Sequence, residues 1–227
     1  MGGLKHLAII PDGNRRWAKK HSLPPWEGHR RGLEKLKEVI NWWLKTDIKE
    51  LSIYTLSYEN FKNRSKIELK YLFKLIESQL SAKNGYIASL IEKGVRIRFA
   101  GLIHLLPKRI YEKLKEIMKK SKNNKGKILN FLIVYGGRLE IARAISLLIK
   151  KNISKITINT IKKYLWVPSD VDLIIRTGGY ARLSNLLLYQ SAYAEIYILN
   201  KLWPEITLED MEKAVNWFYN VQRNFGR

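Results

Sequence analysis

Six short apolar or β-branched runs, separated by stretches of helical or turn character, do most to limit what this chain can fold into: Leu7–Ile10, Leu51–Leu56, Val95–Ala100, Ile128–Val134, Val171–Ile175 and Ile196–Leu199. Strands that alternate with helices are joined by crossovers, and crossovers produce a mainly parallel sheet with helices on both faces. Gly28 to Lys45 reads as the first helix, with Leu33, Leu36, Val39, Ile40 and Trp43 at helical spacing. Ile67 to Ile91 carries a longer helical pattern, broken near Asn84-Gly85, and Pro107 to Lys120, Leu139 to Lys150 and Leu208 to Phe218 complete the helices. The expected fold class is α/β, a mainly parallel central sheet flanked by helices. No internal repeat or shift in composition marks a boundary, so one domain over residues 1–227 is expected. Hydrophobic residues at 46% are enough for a sizeable core.

The residue inventory excludes several functions. There is no cysteine, so neither disulfides nor cysteine-ligated zinc hold the fold, and four scattered histidines argue against a His-rich metal site. No apolar stretch approaches the roughly 20 residues a bilayer span needs, and no basic segment followed by an apolar run opens the chain. A cytoplasmic protein that does not span a membrane is expected. A formal charge of +22 favours anionic partners, among them nucleic acid, lipid headgroups and diphosphates. The Lys-rich stretches 113–127 and 150–163 have the character of solvated helix faces and loops, and no finger, RNP or helix-turn-helix signature occurs, so nucleic acid is not the expected partner.

The polar clusters fall where the strand map makes them informative. Asp12 to Arg16 follows the first strand, Ser57 to Arg64 the second, Tyr135-Gly-Gly-Arg138 the fourth and Arg176 to Ser184 the fifth. Open α/β sheets bind ligands at the carboxyl ends of their strands. In the first cluster Asp12 offers a hard oxygen ligand for magnesium, Gly13 lets backbone approach a phosphate, and Arg15 and Arg16 can fork onto phosphate oxygens. Pro-Asp-Gly-Asn is also an ordinary turn. In the fifth, Arg176, Arg182 and Ser184 surround a glycine pair and read as a second phosphate cradle, with a strand-to-helix turn as the alternative. Four segments carrying this chemistry at one sheet edge favour a diphosphate site over four independent turns.

Other residues read less sharply. Ser57 or Asn60 can cap the helix that begins near Ile67, with Glu59 a surface charge. Glu195 lies in a largely apolar setting and needs either a metal or an arginine, Arg176 or Arg182. His29 beside Gly28 is a helix cap or a phosphate donor.

With these segments in order, the chain resembles the cis-prenyltransferase family, the undecaprenyl and dehydrodolichyl diphosphate synthases. The resemblance runs through His6 to Ala18, Gly28-His29, Ser57 to Arg64, Tyr135 to Arg138, and Asp172 to Glu195 with Leu202-Trp-Pro204. It implies a transferase that adds isopentenyl diphosphate to an allylic diphosphate primer (farnesyl or geranylgeranyl), forming cis double bonds and requiring magnesium. By position, Asp12 would bind the metal and assist departure of the allylic diphosphate, which Gly13, Asn14, Arg15, Arg16, Trp17, His29, Ser57 and Arg64 would hold. Arg176, Arg182 and Ser184 would hold isopentenyl diphosphate, Glu195 would help bind its magnesium, and Asn60 would take part in proton removal. The family fold implies an apolar tunnel, lined here from Ile67 to Ile91, and a homodimer. A lipid product implies peripheral contact at the cytoplasmic face of a membrane. The chain departs from the family pattern with Pro25 where an arginine is frequent, Phe61 and Tyr189 where tryptophan is, Tyr180 where glutamate is, and a late arginine, Arg64. A catalytically silent scaffold subunit of the same fold is the rival that Asp12 argues against.

Overall fold

The computed structural model describes residues 3–81 and 84–223. Its core is a six-stranded sheet of order β3-β4-β2-β1-β5-β6, formed by β1 (His6–Ile10), β2 (Glu50–Ser57), β3 (Arg96–Ala100), β4 (Ile128–Tyr135), β5 (Leu173–Arg176) and β6 (Glu195–Ile198). Every neighbouring pair is parallel, as the alternation of strands and helices implies. All six expected strands are present within two residues of their predicted starts and ends. β1 to β4 and β5 are buried along most or all of their length, with Leu7 and Ile9 on one face and Ala8 and Ile10 on the other.

Helices cover both faces. On the larger core, Val39, Ile40 and Trp43 of α2 (Pro25–Leu44), Ile87 and Leu90 of α5 (Tyr86–Glu92), Ile110 and Leu114 of α6 (Lys108–Ser121) and Phe218 of α9 (Leu208–Asn220) pack with Leu7, Ile9, Leu51 and Ile53. On the other face, Val167, Leu186 and Leu187 pack with Ala8, Ile10, Leu132 and Ile174. The predicted helix 67–91 is two: α4 (Lys66–Gln79) and α5, interrupted near Asn84-Gly85 as expected, with residues 82–83 outside the described residues. α7 (Gly137–Lys150) starts two residues before its predicted position.

Three helices were not expected: α1 (Asn14–Lys20), α3 (Tyr58–Asn63) and α8 (Ile158–Tyr164). Each is seven residues or shorter and buries at most one side chain, so hydrophobic periodicity carries no signal for it. α2 therefore is the second helix, and it starts at Pro25, whose missing N–H costs nothing at the first helical position. Ser57 caps α3, accepting from the Asn60 amide at 3.0 Å, and Ser65 caps α4, which corrects the assignment of Ser57 or Asn60 to the helix near Ile67. α1 and α2 approach so closely that a Cβ at Gly28 would lie 2.0 Å from the Asn14 carbonyl oxygen. That contact seats α1 directly over the end of β1.

The chain leaves β1 toward β2 on one side and returns to its other side at β5. The carboxyl ends of β1, β2 and β5 thus flank a topological switch point, where an open sheet leaves a crevice between diverging connections.

Candidate active site

A cavity of about 1140 Å³ occupies that crevice. Its wall includes Asp12, Gly13, Asn14, Arg15, Arg16, His29, Ser57, Asn60, Arg64, Arg176 and Ser184, so residues from four separate segments meet. Asp12 follows β1, and Arg176 ends β5 level with Ile10 in the parallel register. This brings Arg176 Nη2 to 2.9 Å from Asp12 Oδ2, while Arg16 Nη2 lies 3.4 Å from the other carboxylate oxygen. Arg176 Nη1 donates to Ser184 Oγ at 2.7 Å and to the Arg182 carbonyl. Arg16 Nη1 donates to the Gly178 carbonyl at 2.9 Å. A Cβ at Gly178, where φ is +84°, would lie 2.1 Å from Arg16 Nη2, so this turn admits the guanidinium only as glycine.

A second cationic group stands across the cavity. Glu68 Oε1 lies 3.3 Å from His29 Nε2, 3.5 Å from Arg64 Nε and 3.7 Å from Arg15 Nε. Burial lowers the His29 pKa, with the Arg64 and Arg15 charges acting in the same sense against the Glu68 hydrogen bond. The His29 hydrogen bond, with Arg64 and Arg15 behind it, holds the Glu68 carboxyl below its ordinary range despite desolvation. Among the described residues three buried donors here make no hydrogen bond: Arg176 Nε, and Arg16 Nη2 and Arg64 Nε, which have only the looser ion pairs to Asp12 and Glu68. Buried guanidinium N–H groups without acceptors are costly unless an anion supplies them.

Three predicted site residues are not on the cavity wall. Trp17 is half-buried and packs on His21, with ring centroids 4.3 Å apart. Arg182 is exposed and lies over the Tyr180 ring. Glu195 is half-buried, and its carboxylate faces Arg223 at 3.4 Å, which corrects the expected pairing with Arg176 or Arg182. The register explains this: Glu195 opens β6 beside Leu173, at the amino end of the strands, whereas Asp12 and Arg176 sit at the carboxyl end. Among the described residues no group of three or more His, Asp or Glu gathers to hold an ion.

Other residues join the wall without having been singled out, among them Lys19, Thr55 and Asn185. Glu59 is more than a surface charge, since it accepts from Asn185 Nδ2 at 2.8 Å. Tyr135-Gly-Gly-Arg138 supports the site from behind: the Gly137 and Arg138 amides donate to Asn185 at 2.7 and 2.9 Å, and Tyr54 Oη donates to the Ser184 carbonyl. Ser65-Lys-Ile-Glu68 has capping-box spacing, the one sequence signal that pointed to Glu68. A smaller, apolar cavity of about 70 Å³ lies beyond Thr55, which lines both, and is lined by residues of α2, α4 and α5 with Phe99 and Phe131. No helix among the described residues is long and apolar enough to cross a membrane.

The family model described as "Putative undecaprenyl diphosphate synthase" matches residues 10–226. The chain is 40% identical over 231 residues to the tritrans,polycis-undecaprenyl-diphosphate synthase (geranylgeranyl-diphosphate specific) of Methanopyrus kandleri, covering 98% of this chain and 84% of the relative. It is 40% identical over 229 residues to the isoprenyl transferase of Thermotoga maritima, covering 98% and 96%. The crystal structure of lavandulyl diphosphate synthase from Lavandula x intermedia in complex with dimethylallyl diphosphate superposes with a TM-score of 0.90 at 31% identity, covering 99% of this chain and 98% of the other. Neither a scaffold function nor nucleic-acid binding finds support in these likenesses. Sheet order, cavity chemistry and relatives agree, and the chain belongs to the undecaprenyl diphosphate synthase family, the cis-type prenyl transferases that elongate polyprenyl diphosphates.

Proposed function

We propose that the two cationic groups of the cavity are two diphosphate subsites and that the chain condenses isopentenyl diphosphate with an allylic primer. The observation that carries this reading is the set of buried arginine donors that make no hydrogen bond among the described residues, from Arg16, Arg64 and Arg176, around a single cavity. Gly13, Asn14, Arg15, Arg16, His29, Ser57 and Arg64 hold the allylic diphosphate. Arg176, Arg182 and Ser184 hold isopentenyl diphosphate, Arg182 reaching inward from the rim. Trp17 serves the first subsite only by packing α1.

Magnesium fits this site in the mode it commonly takes, with one carboxylate, waters and substrate phosphate oxygens. Asp12 is the residue that would hold it, and the ion would neutralise charge developing on the departing diphosphate. Arg15 and Arg16 stabilise the same charge. Asn60, exposed at the wall, takes part in proton removal. Glu195 does not reach Asp12 within one chain, so it serves the ion only from a second copy in a homodimer. Exposed Ile196, Trp217 and Tyr219 near the last strand and helix suit such an interface.

The primer tail runs past Thr55 into the apolar cavity, which widens into the product tunnel. The name of the Methanopyrus relative favours geranylgeranyl diphosphate over farnesyl diphosphate. A polyprenyl product and a charge of +22 suit peripheral contact with anionic lipid at the cytoplasmic face of the membrane. The purified chain should be incubated with labelled isopentenyl diphosphate and either primer, with magnesium or with chelator, and the dephosphorylated products sized. A ladder of long prenols that disappears with chelator is expected. Absence of product with every primer would contradict the proposal.

A further inference from the structure

Three guanidinium groups converge on one aromatic ring at the rim of the site. The Cζ atoms of Arg182, Arg16 and Arg176 lie 4.1, 4.7 and 5.9 Å from the centroid of the Tyr180 ring. Gly178 and Gly179 have φ of +84° and +78° and turn the chain so that residue 180 comes back over Arg16. Tyr180 is 41% exposed, and its hydroxyl makes no hydrogen bond among the described residues. Hydrophobic burial and hydroxyl chemistry therefore leave its placement unexplained, whereas its π face is in use.

The charge balance says what that face does. Asp12 pairs with Arg176 and Arg16, but Arg182 has no ion pair among the described residues. Three like charges this close repel one another, and the negative face of an aromatic ring attracts each of them. A ring does so without occupying guanidinium N–H donors and without adding negative charge.

We propose that Tyr180 is a positioning residue for isopentenyl diphosphate, an uncharged platform that aligns Arg182 while leaving its N–H groups to the phosphate oxygens; Arg16, at the ring's other contact, is held independently by the Gly178 carbonyl and Asp12. The inference rests on reading Arg176, Arg182 and Ser184 as the isopentenyl diphosphate subsite.

Steady-state constants for Tyr180→Phe, Tyr180→Leu, Arg182→Ala and the Tyr180→Leu/Arg182→Ala double variant test it, with thermal melting of each as a check on folding. The phenylalanine variant keeps the ring and should keep the wild-type constants. The leucine variant should raise the KM for isopentenyl diphosphate about five- to tenfold, with the allylic KM changed by less than about twofold. Leucine added to Arg182→Ala should cause little further rise, since the platform then has lost its main client. If Arg182→Ala raises that KM while Tyr180→Leu matches the wild type, the platform is wrong and the subsite reading stands. If Arg182→Ala leaves that KM unchanged, the subsite reading fails and takes the platform with it. Should the leucine variant melt early, Tyr180→Met keeps the bulk without a ring and is held to the same outcomes.

Discussion

Asp12 and Arg176 are 164 positions apart in sequence, and Arg176 Nη2 lies 2.9 Å from Asp12 Oδ2 because β1 and β5 run side by side with Ile10 level with Arg176. The contact joins the two halves of the site. Arg176 is 3% exposed and uses one planar group to reach Asp12, Ser184 and the Arg182 carbonyl together.

A lysine in its place has one rotating ammonium and cannot span those acceptors. Arg176→Lys is expected to lower stability by about 2 kcal/mol, leaving Asp12 and Ser184 partly unsatisfied. Isopentenyl diphosphate incorporation should fall with it. Urea unfolding together with the KM for that substrate checks both, and a variant with wild-type values would contradict the bridging role.

The other end of the sheet carries a polar network with no part in the chemistry. Buried Glu50 accepts from Asn130 Nδ2 at 2.7 Å and Ser169 Oγ at 2.5 Å, and pairs with Arg98 at 3.4 Å. It begins β2, opposite His6, whereas the cavity lies beyond Ser57 at the far end of the same strand. Glu50→Ala strands these donors and should destabilise the fold by about 3–5 kcal/mol. Its kcat and both KM values, measured well below the melting temperature, should stay within about twofold of wild type.

Acid should weaken the fold through His6 and His29. Burial lowers the His29 pKa from 6.5, and burial lowers that of His6 in the same way, so the unfolded chain binds these protons more readily than the folded one. Stability is then full above pH 6.5 and is lost as pH falls through that value toward the folded pKa, by up to about 1.4 kcal/mol per pH unit for each group. Glu68, whose pKa is lowered by its hydrogen bond to His29, extends the loss below about pH 4.5. Urea midpoints between pH 7 and 5 should fall steadily, and His29→Gln should flatten part of that slope. An unchanged slope in the variant would contradict the assignment.

Much of this was legible in the sequence, for reasons that differ by residue. The strands could be read because burial on both faces makes them apolar throughout, and the meeting of the polar clusters at one cavity because their residues follow strand ends. Asp12, Arg16 and Arg176 meet for that reason alone. α1 and α8 were illegible because neither presents an apolar stripe. That Arg223, and not Arg176 or Arg182, is the arginine facing Glu195 was not legible because sequence order does not say at which end of the sheet a residue falls: Glu195 opens a strand where the other polar site residues follow one. Glu68 was missed because its three neighbours, Arg15, His29 and Arg64, come from α1, α2 and the turn after α3. The stacking of Arg16, Arg176 and Arg182 on Tyr180 depends on two glycine φ values that composition does not reveal.

The most direct test of a site built around Asp12 is the rate of isopentenyl diphosphate incorporation by Asp12→Asn, measured with saturating primer and magnesium beside a melting curve. Asparagine keeps an acceptor for Arg176 but removes the charge, so the variant should stay folded while the rate falls by about a hundredfold or more. A folded variant that elongates the primer at the wild-type rate would contradict the assignment of Asp12 to the departing diphosphate.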